Sequence, residues 1–212
     1  MTAREEILQK IRTALAVPVA DPSASYARVA RAYQRVGTLD AAACIDLLVD
    51  RLLDYDSEVL QVQGEAELPG AIATALTNAH EARALVAPSF PKAWLPATFQ
   101  FVEDNGLPIH DIEGVPAVVT TCEAVVASSG TILLVHGGKQ ARRALTLLPN
   151  HHICLVRRDQ VFELLPEALA AIASDATRPI TTISGPSATS DIEMTRIRGV
   201  HGPRSLTAIL YG

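Results

Sequence analysis

Short apolar runs alternating with helical segments predict an α/β fold built on a largely parallel sheet with flanking helices. Three observations carry this reading. Runs at 58–62, 84–87, 99–102, 115–121, 132–135, 152–156, 180–183 and 206–211 are short enough to be strands. Most are apolar throughout rather than alternating, the pattern of strands covered on both faces. The 212-residue chain is 49% apolar and 19% charged, which suffices for a sizeable core.

The elements follow in order. Residues 3–16 form an amphipathic helix with Ile7, Leu8, Ile11 and Leu15 on one face, and Thr2 with Glu5 make a capping box. Pro18, Asp21, Pro22 and two serines mark 17–25 as a linker, and 26–37 as a short helical or irregular piece. The expected division is therefore an N-terminal helical extension and linker, 1–37, and an α/β domain, 38–212. Asp40 caps a helix over 41–53. Helix 65–78 carries Pro69 in its first turn, Pro88 closes strand 84–87, and 90–95 is a helical turn. Residues 124–127 either continue strand 115–121 or form a short helix. Helices over 139–147 and 161–172 complete the alternation.

Composition excludes several function classes. Net charge is −5 and no basic block occurs, against nucleic-acid binding. Arg142-Arg143 and Arg157-Arg158 read as solvated edges. No stretch approaches the roughly 20 apolar residues of a membrane span. The charged first segment is no secretory signal, so the expected location is the cytoplasm. The three cysteines, Cys44, Cys122 and Cys154, are scattered and sit in apolar surroundings, as buried reduced thiols do. Without Cys-x-x-Cys, no self-contained zinc or iron–sulfur site is expected, and Cys122 beside Glu123 is the one reactive candidate.

Three loops carry chemistry. Ser128-Ser129-Gly130-Thr131 puts hydroxyls around a glycine that lets backbone approach a ligand; a strand-entry turn reads the same way. Gly137-Gly138-Lys139 reads as the opening of a helix and an anion seat, though it matches neither common nucleotide-binding glycine pattern. Ser187, Thr189, Asp191, Glu193, His201 and Arg204 crowd the two loops near the C-terminus. A carboxylate–His–Arg set suits a small carboxylic acid, with Arg204 bidentate on the carboxylate and His201 exchanging a proton. The structural alternative is an Asp191–Arg204 ion pair with His201 on a backbone carbonyl. His151 and His152, adjacent on a strand, point to opposite faces and do not chelate together; one is expected buried and one exposed. Trp94 reads as packing.

Gly185-Pro186-Ser187 with Thr189 and Asp191-Ile192-Glu193, then Gly199-Val200-His201-Gly202-Pro203, resembles the signature of the lactate-utilization protein C family, the LUD domain. Ser129-Gly130-Thr131 and Leu145-Thr146-Leu147-Leu148-Pro149-Asn150-His151-His152-Ile153 belong to the same likeness, in the same order. It spans residues 115–212, and the earlier chain only in general layout. The resemblance implies a Rossmann-like core similar to the CoA-transferase and ribose-phosphate-isomerase group. It implies a subunit of an iron–sulfur-dependent system oxidising L-lactate to pyruvate, with the clusters on iron–sulfur partner proteins and no cofactor in this chain. It supplies no catalytic residue. Two departures remove polar groups from the expected site: Ser128 where the family commonly has an acid, and Ala188 where it often has a basic or amide side chain.

From residue chemistry, His201, Asp191 and Glu193 are the catalytic candidates, His201 as general base or orienting group. Gly130, Thr131, Gly185, Ser187, Thr189, Gly202 and Arg204 are the ligand-binding candidates. Two other functions stay open. One is a non-catalytic assembly or regulatory subunit. The other is a stand-alone enzyme of the CoA-transferase-like fold binding CoA or a phosphate ligand.

Overall fold

The computed structural model describes residues 2–15, 21–137, 140–175, 177–189, 197–198 and 202–212. The chain divides into two compact units, Met1–Gln34 and Arg35–Gly212. In the first, α1 (Ala3–Leu15) starts on the expected capping box: the Thr2 amide donates to Glu5 Oε2 (2.7 Å) and the Glu5 amide to Thr2 Oγ1 (3.3 Å). Ile7, Ile11 and Leu15 are exposed along it. A short helix, α2 (Pro22–Ala27), begins within the expected linker and runs into the piece expected over 26–37. Asp21 Oδ1 accepts the Ser23 and Ala24 amides, and Pro22 needs no donor partner in a first turn.

In the second unit α3 (Ala41–Asp54) is capped by Asp40, whose Oδ1 accepts the Ala43 amide at 2.8 Å. Next come β1 (Glu58–Gln61), α4 (Leu68–Asn78), β2 (Arg83–Val86), β3 (Gln100–Glu103), α5 (Ile109–Glu113) and β4 (Ala117–Thr121). Then follow β5 (Ala124–Val126), β6 (Thr131–Val135), α6 (Arg143–Leu147), β7 (His151–Arg157), β8 (Val161–Phe162) and α7 (Leu165–Ala171). The chain closes with β9 (Ile180–Ser184), β10 (Ala188–Thr189), β11 (Ile197–Arg198) and β12 (Ser205–Tyr211).

Six strands form one sheet in the order β1-β12-β7-β4-β2-β3, every described pair parallel. This is the expected parallel α/β core. One face packs on α4: Leu68, Ile72 and Leu76 meet Ile153, Leu155 and Ile209. Trp94 is packing here, edge-on to Phe90 and Tyr211 with both ring centroids at 5.9 Å. The opposite face packs on α3, where fully buried Leu48 and Leu52 meet Cys154, Leu206, Ala208 and Leu210. Each such leucine contributes about 1.5–3 kcal/mol through burial.

Three sequence expectations change. Strands 132–135 and 180–183 do not join the main sheet. They belong to a second sheet, β8-β5-β6-β9, in which β6 is antiparallel to both β5 and β9. The reason is the tight return at Ser129-Gly130, where Gly130 sits at φ 60°, ψ 30° and reverses the chain from β5 into β6. A Cβ there would stand 3.0 Å from Arg51 Cβ, so the turn also lies close on α3. The helix expected over 161–172 begins at Leu165, because Val161 and Phe162 pair with Val125 and Val126 and Pro166 starts the helix. The helix expected from 139 begins at Arg143; a turn from the Gly137 amide to the Ala141 carbonyl (2.8 Å) precedes it. Gly137 thus does not open the helix as expected, and Gly138 and Lys139 lie outside the described residues.

Candidate functional site

β7 and β12 are neighbours, and His152 pairs in register with Leu206 near the amino ends of both strands. Over this point stand the second sheet's strand β9, helix α6 and the loops 185–187 and 202–203. Together they enclose a pocket of about 270 Å³. Its wall includes Arg143 and Thr146 from α6, Thr181, Thr182 and Ser184 from β9, Gly185, Ser187, Gly202 and Pro203 from the loops, and His152 and Leu206 from the main sheet. It lies at the strands' amino ends, unlike the carboxyl-end crevice that is the rule for open α/β sheets. The cause is β9, which brings its own loop back over that edge.

Two hydrogen-bonded systems shape the wall. The first joins two of the sequence motifs: Ser129 Oγ and Thr131 Oγ1 are 2.7 Å apart, and Thr131 Oγ1 and Ser184 Oγ 2.8 Å, a hydroxyl chain across paired strands. The second holds a cation. Arg143 Nη1 donates to Thr181 Oγ1 (2.6 Å), and the same oxygen lies 2.6 Å from His136 Nε2. His136 Nδ1 faces the Ala141 carbonyl at 3.3 Å, so Nδ1 carries the proton and Nε2 accepts the Thr181 hydroxyl. Burial lowers the His136 pKa and favours this neutral ring, against an opposing backbone contribution from the Ala141 carbonyl; nearby Arg143 lowers it further. Among the described residues Arg143 has no carboxylate partner.

His152 is 1% exposed and Thr120 fully buried. His152 Nε2 lies 2.8 Å from Thr120 Oγ1, while Nδ1 has no hydrogen-bond partner among the described residues. Burial, and then neighbouring His151, pushes the His152 pKa down to about 3. The ring is therefore neutral at physiological pH. Its neighbour points to the opposite face, as expected: His151 Nδ1 meets Glu81 Oε2 and Nε2 meets Thr207 Oγ1, both at 2.8 Å. Both histidines are buried, however, where one was expected exposed, because β7 lies inside the sheet and is covered on both faces.

The two C-terminal loops are tied together. The Ser187 amide donates to the Pro203 carbonyl (2.8 Å), β10 pairs antiparallel with β11, and the Asn150 carbonyl accepts the Arg204 amide at 2.7 Å. Gly185 takes φ +79°, and a Cβ on it would stand 2.5 Å from Tyr55 Cβ, so a side chain is excluded.

Of the expected ligand-binding residues, Gly185, Ser187 and Gly202 line the pocket, and Thr131 reaches it through Ser184. Gly130 lies against α3, Thr189 pairs with Ile197 in β10, and Arg204 is exposed outside the lining. Asp191, Glu193 and His201 lie outside the described residues. Sequence reasoning missed Arg143, Thr146, His152, Thr181 and Thr182. The Arg142-Arg143 doublet carried a signal that spacing could not resolve. Arg142 is exposed, as a solvated edge is, but it is also paired: Nε and Nη2 donate to Asp104 at 2.6 and 2.9 Å, and that pairing lowers the Asp104 pKa. The adjacent Arg143 lines the pocket and donates to Thr181. Cys122 is not a reactive thiol: it is 2% exposed, and hydrogen bonding with Cys154 together with burial pushes its pKa well up.

Among the described residues no helix is long and apolar enough to cross a membrane. A family model, the LUD domain, matches residues 103–211, which include every pocket-lining residue. The chain is 42% identical over 177 residues to Lactate utilization protein C of Deinococcus radiodurans, covering 82% of each. It is 33% identical over 98 residues to the Bacillus subtilis protein of the same name, covering 43% of this chain and 40% of that one. A crystal structure of a DUF162 family protein from Deinococcus radiodurans superposes with a TM-score of 0.72 and 37% identity, covering 82% of this chain and all of that one. With the parallel core and its match through the pocket segments, this chain belongs to the LUD domain family.

Proposed function

We propose that this chain acts in L-lactate utilization, as a subunit of an iron–sulfur-dependent system that oxidises L-lactate to pyruvate, and that its pocket takes the small carboxylate. The observation that carries the reading is Arg143: a guanidinium without a carboxylate partner among the described residues, held by Thr181 on the wall of a small hydroxyl-lined pocket. The names of the relatives supply the metabolic setting. Arg143 rather than Arg204 anchors the carboxylate in this reading, because Arg143 lines the pocket. His201, Asp191 and Glu193 remain the catalytic candidates of this reading, on residue chemistry alone.

The oxidation releases two electrons and two protons. The reading puts the electron acceptors, iron–sulfur clusters, on partner proteins. Its support in this chain is that all three cysteines are buried in the fold. A pocket of about 270 Å³ suits a three-carbon acid better than CoA, since drug-sized ligands occupy roughly 300–1,000 Å³.

The test is deletion of this chain and complementation, with growth on L-lactate as sole carbon source. The tagged chain is purified in parallel, and the eluate assayed for iron and L-lactate oxidation. Expected are growth restored by the wild type but not by Arg143→Ala, and an iron-containing active eluate. Normal growth of the deletion strain on L-lactate overturns the reading.

A further inference from the structure

Resting on the carboxylate reading of this pocket, we infer that His152 determines its specificity: the unpartnered Nδ1 hydrogen-bonds the hydroxyl of a 2-hydroxy carboxylate whose carboxylate sits on Arg143. Four observations lead there. His152 lines the pocket. It is 1% exposed, and its Nδ1 is a buried polar atom. One ring nitrogen is committed to Thr120 at 2.8 Å and the other is unmatched. Among the described residues the one other buried side-chain atom in that condition is Ser57 Oγ, which is not in the pocket wall. Buried polar groups are nearly always paired, so an orphan in a cavity wall marks a place where a partner arrives.

The Thr120 contact makes the nitrogen adaptable. When the Thr120 hydroxyl donates to Nε2, the proton sits on Nδ1 and His152 is a donor. When Nε2–H donates to Thr120, Nδ1 offers a lone pair. A ligand hydroxyl satisfies either arrangement, a keto oxygen only the first, and a methylene neither. Discrimination follows from the unmet bond: an analogue lacking the hydroxyl leaves a buried nitrogen unpaired, the situation in which polar sites reject ligands most strongly. Burial keeps the ring neutral, so it competes with Arg143 neither for the carboxylate nor by repulsion.

The experiment measures binding of L-lactate and of propionate to the full chain by calorimetry. The chains compared are the wild type, His152→Gln, His152→Asn and Arg143→Ala, each checked for native circular dichroism. Gln keeps an atom for Thr120 and loses the Nδ1 position; Asn keeps a polar atom near Nδ1. The wild type is expected to prefer L-lactate, and His152→Gln to lose about tenfold of that preference. His152→Asn recovers part of it, and Arg143→Ala weakens both ligands alike. L-Lactate, but not propionate, also shifts the ¹⁵Nδ1 resonance of His152. If both ligands bind through Arg143 but His152→Gln keeps the preference, the inference falls and the pocket reading stands. If neither ligand binds the wild type, the pocket reading falls and the inference with it.

Discussion

Arg143 is held to Thr181 by a single 2.6 Å hydrogen bond, and the hydroxyl that accepts it is oriented by a buried, neutral His136. A surface arginine otherwise samples many rotamers, and fixing one before the ligand arrives reduces the entropy cost of binding. Thr181→Val removes the hydroxyl at nearly constant volume. We expect carboxylate affinity to fall about threefold to tenfold, with the unfolding midpoint nearly unchanged. Calorimetric titration with L-lactate, beside urea unfolding, checks both parts.

Gly185→Ala tests the loop that roofs the pocket. The backbone sits at φ +79° and the new methyl would lie 2.5 Å from Tyr55 Cβ, a carbon with no freedom to swing away. Strain and overlap together are expected to cost about 2–4 kcal/mol. A loss below about 0.5 kcal/mol in urea unfolding would show that the loop moves freely.

His152 sets a pH dependence of stability whose sign is fixed by its burial. Its folded pKa is depressed to about 3 from 6.5, so below 6.5 the unfolded chain takes up a proton that the folded chain refuses. Stability from this group is complete above 6.5 and declines as pH falls towards 3, by at most about 1.4 kcal/mol per pH unit. His152→Asn is expected to flatten the change in unfolding free energy between about pH 6.5 and pH 5 by about 1–2 kcal/mol relative to wild type. Urea unfolding at both pH values measures it.

Asp104 behaves oppositely. Arg142, then the Leu107 and Gly106 amides, hold its carboxylate against burial, and its pKa is lowered from 3.8. Its contribution is present above 3.8 and disappears as pH falls through the lower folded value. Asp104→Ala at neutral pH is expected to cost about 2–4 kcal/mol, because it abandons the two loop amides as well as the guanidinium. Thermal unfolding at neutral pH checks it.

Much of the architecture was legible because it follows from local chemistry. Thr2 with Glu5 and Asp40 with Ala43 start helices through bonds within three residues, and the apolar run of β7 announced a strand covered on both sides. The second sheet was not legible. Ile132 and Leu206 are both apolar strand residues, and hydrophobicity carries no record of which sheet a strand joins. The site was read in part for the same reason. Gly185, Ser187 and Gly202 were found by their loop composition, whereas Arg143 and His152 sit in a helix and a central strand, where they resemble a surface charge and a core histidine.

The sequence by itself determined the α/β class, the capped helices, the parallel core and the family, because periodicity, caps and contiguous motifs are properties of neighbours along the chain. Tertiary structure alone decided that Arg142 turns to Asp104 and Arg143 to Thr181, that both members of the His151-His152 pair are buried, and that the pocket opens at the amino ends of β7 and β12. The physical reason is that charge pairing and burial depend on which distant segment covers a residue. Here β9 and the loops at 185–187 and 202–203 fold back over His152 from distant points of the chain.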